Sequence, residues 1–186
     1  MTPGALLLTP GAGATRDNRI LVALEAAVAP LPCRRIDFPY RQSGRRMPDP
    51  APIAVAHLRS TAADLVASVG VPPDRLVLGG RSYGGRMCSM AVAEGLPAAG
   101  LILLSYPLHP PGRPEKLRVE HFPQIDVPVL FVGGEKDPFG SPDEFAQWVP
   151  QVRGRVTQVW LPGGHDPRPG TDETLIGAVR DWLATL

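Results

Sequence analysis

Apolar residues in this chain gather in short runs separated by helical patterns. Residues 5–9, 76–79, 101–104 and 129–132 form the runs, and 33–38 and 156–161 read as two further strands with polar residues interspersed. Runs of this length, bounded by glycine and proline, predict strands buried on both faces. Residues 17–29 put Ile20, Leu21, Leu24 and Val28 on one helical face. Residues 52–69 repeat the pattern with Leu58, Ala62, Leu65, Val66 and Val69, and Gly70 supplies a stop. A third helix is expected over 83–94, with Met87, Met90, Ala91 and Glu94 on one face. Ser141-Pro142-Asp143-Glu144 is a helix start: an N-cap serine, a proline in the first turn and a glutamate completing a capping box. That helix is expected to run to about 149. A closing helix over 171–186 turns Leu175, Ile176, Val179, Trp182 and Leu183 inward. Strands alternating with helices imply an α/β fold, a doubly wound and mostly parallel sheet of about six strands with helices on both faces. No repeat or linker divides the chain, so 1–186 reads as one domain.

In such sheets functional groups collect at the carboxyl ends of the strands. The third run leads straight into Gly80-Arg81-Ser82-Tyr83-Gly84, followed by a helix-compatible segment. This is a G-x-S-x-G nucleophile elbow in the strand–turn–helix context it requires. Gly80 and Gly84 are expected because a Cβ at either would strike the neighbouring strand or helix. A serine hydroxyl needs a base, and the base needs an acid to orient it. Gly133-Gly134-Glu135-Lys136-Asp137 follows the fifth strand and Pro162-Gly163-Gly164-His165-Asp166 the sixth. Ser82, Asp137 and His165 therefore fall in the chain order of an α/β-hydrolase triad. Each alone has a plainer reading, as a turn serine, a turn former before Pro138 or a loop histidine. Their joint placement at strand ends favours the triad. Asp166 is a poor rival for the acid because adjacent side chains rarely face each other, and Glu135 is a weak one. The oxyanion donors expected are the backbone N–H groups of Tyr83 and of Ala12, in the Gly11-Ala12-Gly13 loop after the first strand.

The strand-Pro10-Gly11-Ala12-Gly13 turn, the Gly79–Arg86 elbow and the segments 105–118 and 133–140 resemble a group of small α/β-hydrolases. These are similar to dienelactone hydrolase and to the hydrolase-like domain of one subunit of the NSL histone acetyltransferase complex. The resemblance spans nearly the whole chain. It implies a reduced α/β-hydrolase fold without a large cap domain, with Ser82, Asp137 and His165 as the triad. Dienelactone hydrolase itself uses cysteine, so its substrate is not carried over to Ser82. Many relatives have His-Gly where this chain has Pro10-Gly11.

Composition narrows the rest. Hydrophobic residues make up 44% and charged residues 20%, and the net charge of +1 offers no global field toward nucleic acid or an anionic membrane. Neither a signal peptide nor a run approaching the ~20 apolar residues of a membrane span is seen, so a cytoplasmic location is the expectation. Cys33 and Cys88 read as two buried thiols. No metal-ligand spacing occurs and no cofactor is expected. Arg41, Arg45 and Arg46 follow the second strand on the functional rim. Arg45 and Arg46 are candidate contacts to an anionic substrate group, against the plainer role of pairing with Asp49. Arg81 and Arg86 flank the nucleophile, and Arg81 is expected to brace a loop, with a weaker claim on substrate. His109 and His121 read as surface loop residues and His57 as exposed. Gly11-Ala12-Gly13 with Asp37 also fits half of a dinucleotide fingerprint, but Arg16 stands where the third glycine belongs.

The function expected is hydrolysis of a small carboxylic ester or related acyl compound through an acyl-Ser82 intermediate. A shallow pocket is expected between the 39–50 and 105–124 loops. The alternatives are a non-catalytic protein-interaction module on the same scaffold and a dinucleotide binder.

Overall fold

Each of the expected strands forms, and every pairing is parallel. A computed structural model describes residues 2–186. Its strands are β1 (Ala5–Thr9), β2 (Cys33–Arg35), β3 (Leu76–Arg81), β4 (Gly100–Leu104), β5 (Val129–Gly134) and β6 (Val156–Leu161). They pair in the order β2-β1-β3-β4-β5-β6. The helices are α1 (Arg19–Ala27), α2 (Pro39–Gln42), α3 (Ala51–Val69), α4 (Tyr83–Ala93), α5 (Pro142–Trp148) and α6 (Asp172–Leu183).

Period-two alternation divides the strand side chains between two cores. Leu7, Leu78, Leu101, Leu103 and Phe131 point to one face, where α3, α4 and α5 cover them. Leu6, Leu8, Val77, Ile102, Leu104 and Val132 point to the other, under α1 and α6. A parallel sheet covered on both sides needs apolar residues along its central strands, which is why the runs of β1, β3, β4 and β5 are continuous, whereas the edge strands β2 and β6 carry polar residues.

Local signals held where they were strongest. Gly70 closes α3 in the left-handed conformation at φ 70. Ser141 and Glu144 form the reciprocal capping box of α5. β2 stops at Arg35, short of the expected 38: Ile36 N makes the last bond to β1, to Leu8 O at 3.1 Å, and the Ile36 and Phe38 side chains are buried in the α3–α4 core. Pro39 then opens α2, a single turn inside the expected loop. Conversely, β3 and β5 extend through Arg81 and Gly134, since Thr9 pairs with Gly80 and Gly134 with Leu161. Glycine has low strand propensity, and tertiary pairing overrides it here. No helix among the described residues is long and apolar enough to cross a membrane.

The sheet order reverses direction between β1 and β3, so loops diverge there at the carboxyl rim, where open α/β sheets place their ligands. The approach of α4 to β3 at this point is very close. A Cβ on Gly80 would meet the backbone nitrogen of Gly85 at 2.5 Å and the carbonyl carbon of Gly84 at 2.6 Å. These are backbone atoms that cannot swing aside. Gly80→Ala is therefore expected to lower stability by at least about 2 kcal/mol, measured as a shift in the urea midpoint. Gly177→Ala on α6, where an added Cβ has nothing within 4 Å, is the contrasting case. It is expected to gain up to about 1 kcal/mol from helix propensity. An unchanged midpoint for Gly80→Ala would show that the elbow relaxes without penalty.

Candidate active site

Ser82 lies at the junction of β3 and α4 with φ 50 and ψ −115. Its N–H donates to the Leu104 carbonyl at the end of β4, at 2.8 Å. Its own carbonyl accepts from Arg86 N at 3.0 Å, the first helical bond of α4. One residue thus passes from sheet ladder to helix. A left-handed backbone at a non-glycine residue is strained, by roughly 1–3 kcal/mol, and persists only where the surroundings fix it.

His165 Nε2 is 2.8 Å from Ser82 Oγ, and His165 Nδ1 is 2.8 and 3.0 Å from the two oxygens of Asp137. An ionised carboxylate only accepts, so Nδ1 carries the proton and donates to Asp137. In the neutral ring, Nε2 is then free to accept the Ser82 hydroxyl proton. Asp137 is only 5% exposed. It also accepts from Phe139 N at 2.8 Å, and the Phe139 ring stacks on the imidazole with centroids 4.0 Å apart. The loops carrying Asp137 and His165 are joined by two backbone bonds, Glu135 N to Leu161 O at 2.9 Å and Lys136 N to Gly163 O at 2.8 Å. Arg81, buried at the end of β3, donates to the His165 carbonyl at 3.3 Å and to the Asp166 carboxylate. Asp166 is thereby engaged with Arg81, and Glu135 is exposed.

Ala12 and Tyr83 line the cleft together with Ser82 and His165. Among the described residues, neither the Ala12 nor the Tyr83 backbone N–H has a hydrogen-bond partner. Such a pair of free amides beside a hydroxyl is suited to holding a developing oxyanion. The Ala12 loop is anchored by Gly13 N donating to Tyr40 Oη at 3.3 Å. Tyr83 Oη in turn donates to the Asp49 carbonyl at 2.7 Å, and its ring packs edge-on against Phe38 and Tyr40. Burial raises the Tyr83 phenol well above its ordinary pKa, which keeps the donating proton in place.

The family model described as an alpha/beta hydrolase domain matches residues 2–175. The chain belongs to that family. Solved structures with the same fold include a Bacillus cereus carboxylesterase, at 18% identity and a TM-score of 0.70, the match covering 99% of this chain and 88% of that one. Est1E from Butyrivibrio proteoclasticus, solved with ferulic acid bound, matches at 16% identity and a TM-score of 0.75, over 98% of this chain and 89% of that one. A monoacylglycerol lipase from Paleococcus ferrophilus matches at 16% identity and a TM-score of 0.75, over 99% and 96%.

The cleft of this α/β-hydrolase holds about 420 Å³ and is partly open. Pro48 from the 39–50 loop and Pro107 and Phe139 form its apolar walls. Three arginines line it: Arg81, Arg86 and Arg118. Arg45 and Arg46, the candidate anion contacts, do not, and the plainer reading of both holds. Arg45 is turned instead onto the buried Asp49 carboxylate, at 2.7 Å. Asp49 also caps Tyr40 N at 2.8 Å, so the cation is needed where a buried acid holds the loop together. Arg46 is exposed outside the cleft. Arg86 was within reach of sequence reasoning, since it lies one helical turn beyond Ser82. Arg118 was not, because the 105–128 segment has no periodicity to place it.

Other expectations are also corrected. His109 is 5% exposed and lies between the Pro110 carbonyl and Glu144, 3.0 Å from the carboxylate. His57 is half-buried and donates to the Asp37 carbonyl at 3.1 Å. Asp37 accepts from Arg16 N at 2.7 Å, which occupies the position a ribose acid would need free. Cys88 is buried but Cys33 only partly so, and both thiols are free.

His121 is half-buried as well. The Ser89 hydroxyl gives its proton to the Arg86 carbonyl, so His121 Nε2 donates to Ser89 Oγ at 2.8 Å. Burial first, and the Arg86 charge second, push the His121 pKa down to about 4, against a small opposing pull from Glu120. The folded state thus holds the ring neutral while the unfolded chain protonates near 6.5. The resulting stability is complete above about pH 6.5 and is lost as pH falls toward about 4. Between pH 7 and pH 5 the protein is expected to lose roughly 1–2 kcal/mol by this route, read from urea midpoints. His121→Gln is expected to flatten that slope. An identical slope in the variant would assign the acid sensitivity elsewhere.

Proposed function

We propose that this α/β-hydrolase is a serine hydrolase that cleaves a small carboxylic ester through an acyl-serine intermediate. The observation that carries the reading is the unbroken hydrogen-bond chain from Ser82 through His165 to Asp137, opening onto a cleft. Ser82 Oγ attacks the substrate carbonyl carbon while His165 Nε2 takes its proton. The carbonyl oxygen becomes an oxyanion held by the Ala12 and Tyr83 amides. As the intermediate collapses, His165 returns the proton to the leaving alcohol oxygen and the acyl group stays on Ser82. Water then attacks the acyl carbon, giving its proton to His165. The acid is released and Ser82 recovers its hydrogen. Asp137 stays ionised throughout, holding the tautomer and stabilising the imidazolium.

Several features support this reading beyond the chain itself. The strained Ser82 backbone aims Oγ at the cleft, and a strained residue at a ligand-facing position is a recurring mark of function. Known esterases share the fold, which fits the chemistry. Within the family we favour the small, capless group similar to dienelactone hydrolase, on the strength of the elbow and the 105–118 and 133–140 segments. The non-catalytic alternative would be favoured by a distorted Ser82–His165 contact or a filled cleft, and neither is present.

Labelling with a fluorophosphonate probe tests the reading. Wild-type protein is expected to label, and Ser82→Ala and His165→Ala are expected to lose labelling while remaining folded by circular dichroism. Asp137→Asn is expected to lower kcat on short acyl esters on the order of 10⁴-fold with little change in KM, as loss of the correct tautomer does in serine triads. Absence of labelling in folded wild-type protein would sink the catalytic reading and leave the binding-module alternative.

A further inference from the structure

Two arginines in the cleft lack a counter-charge. Three guanidinium groups line it, and Asp166 is the one carboxylate among the lining residues. Asp166 is already paired with Arg81. No ion pair and no hydrogen bond among the described residues involves the guanidinium group of Arg86 or Arg118; the side-chain bonds from Ser89 and Tyr106 go to their backbone carbonyls. The Arg86 Nε is buried without any partner, which is uncommon for a strong donor and calls for an explanation. The two cations also feel each other. Burial, then the Arg86 charge, lowers the Arg118 pKa. Glu120, the acid whose field reaches the neighbouring His121 and Tyr106, is exposed and bonds to neither guanidinium.

Uncompensated like charges in a concave, partly desolvated site are unfavourable unless an anion completes them. Guanidinium groups match a carboxylate through paired N–H donors. Arg86 also sits one helical turn beyond Ser82, and both line the cleft, so a carboxylate held by Arg86 lies close to the acyl group on Ser82. We propose that Arg86 and Arg118 form a carboxylate subsite, and that the substrate is a short ester whose acyl part carries a free carboxylate, such as the half-ester of a small dicarboxylic acid. The subsite gives specificity to the reaction proposed for Ser82 and rests on that reading for its catalytic readout. It also makes a binding prediction that does not depend on turnover.

The experiment compares two matched substrates, the mono-p-nitrophenyl ester of glutaric acid and p-nitrophenyl pentanoate. They share acyl chain length and leaving group and differ in the terminal carboxylate. Wild-type kcat/KM is expected to favour the glutarate ester about 10- to 100-fold, the range for charge-assisted hydrogen bonds. In Arg86→Met and Arg118→Met the ratio is expected to fall toward one. Because a ratio does not depend on how much protein is folded, partial misfolding of a variant does not blur it. Arg46→Met, on the outer loop, is expected to keep the wild-type ratio. A wild-type ratio near or below one, or loss of preference in Arg46→Met with retention in the other two, overturns the assignment. If neither ester turns over and the fluorophosphonate probe fails as well, the serine-hydrolase reading falls, and thermal stability decides the subsite alone. Glutarate is then expected to raise the Tm of wild-type protein but not of the two variants, with glutaramide inert. No shift overturns the subsite. A larger shift with inorganic phosphate than with glutarate overturns the carboxylate assignment in favour of a phosphoryl group.

Discussion

The passage of one residue from a sheet bond to a helix bond governs the rest of this molecule. Ser82 N is committed to Leu104 O and Ser82 O to Arg86 N, so its backbone must turn left-handed. The turn fits only because α4 lies almost in van der Waals contact with β3 through Gly80, Gly84 and Gly85. The strain is local, whereas what offsets it is spread over two cores. Removing any large part of that packing would relax the turn and lower Oγ from the rim.

Around this point the buried acids are each assigned a cation or ring that neutralises or orients them. Asp49 has Arg45 and the Tyr40 amide, and Asp137 has His165 and the Phe139 amide. These are partners that a buried carboxylate requires, since an unpaired one is strongly disfavoured. Arg81 extends the pattern by holding the His165 loop from below. Arg86 and Arg118 line the cleft without an acid partner, where a ligand rather than the protein can complete the charge balance.

Much of this was legible in the residues. The strand runs were readable because a doubly covered parallel strand has no polar face to obscure it, and the capping box at Ser141 because its signal is wholly local. The three residues of the candidate site were readable because each lies within a few residues of a strand end. What failed were positions decided by partners distant in the chain. Glu144, 35 residues further on, draws His109 inside from a loop that looked exposed, whereas Asp49 claims Arg45 from only four residues away, the plainer role the residues themselves suggested. Polarity alone placed His109 at the surface.

By itself, then, the sequence determined element order, the parallel sheet and the rim on which Ser82, Asp137 and His165 stand, since each follows from short-range hydrophobic period and turn chemistry. Tertiary structure alone decided the 2.8 Å contacts among those three, the anchoring of the Ala12 loop by Tyr40, and which arginines face the cleft. The physical reason is that long side chains from aperiodic loops choose partners by three-dimensional proximity and charge, and neither is written in spacing along the chain.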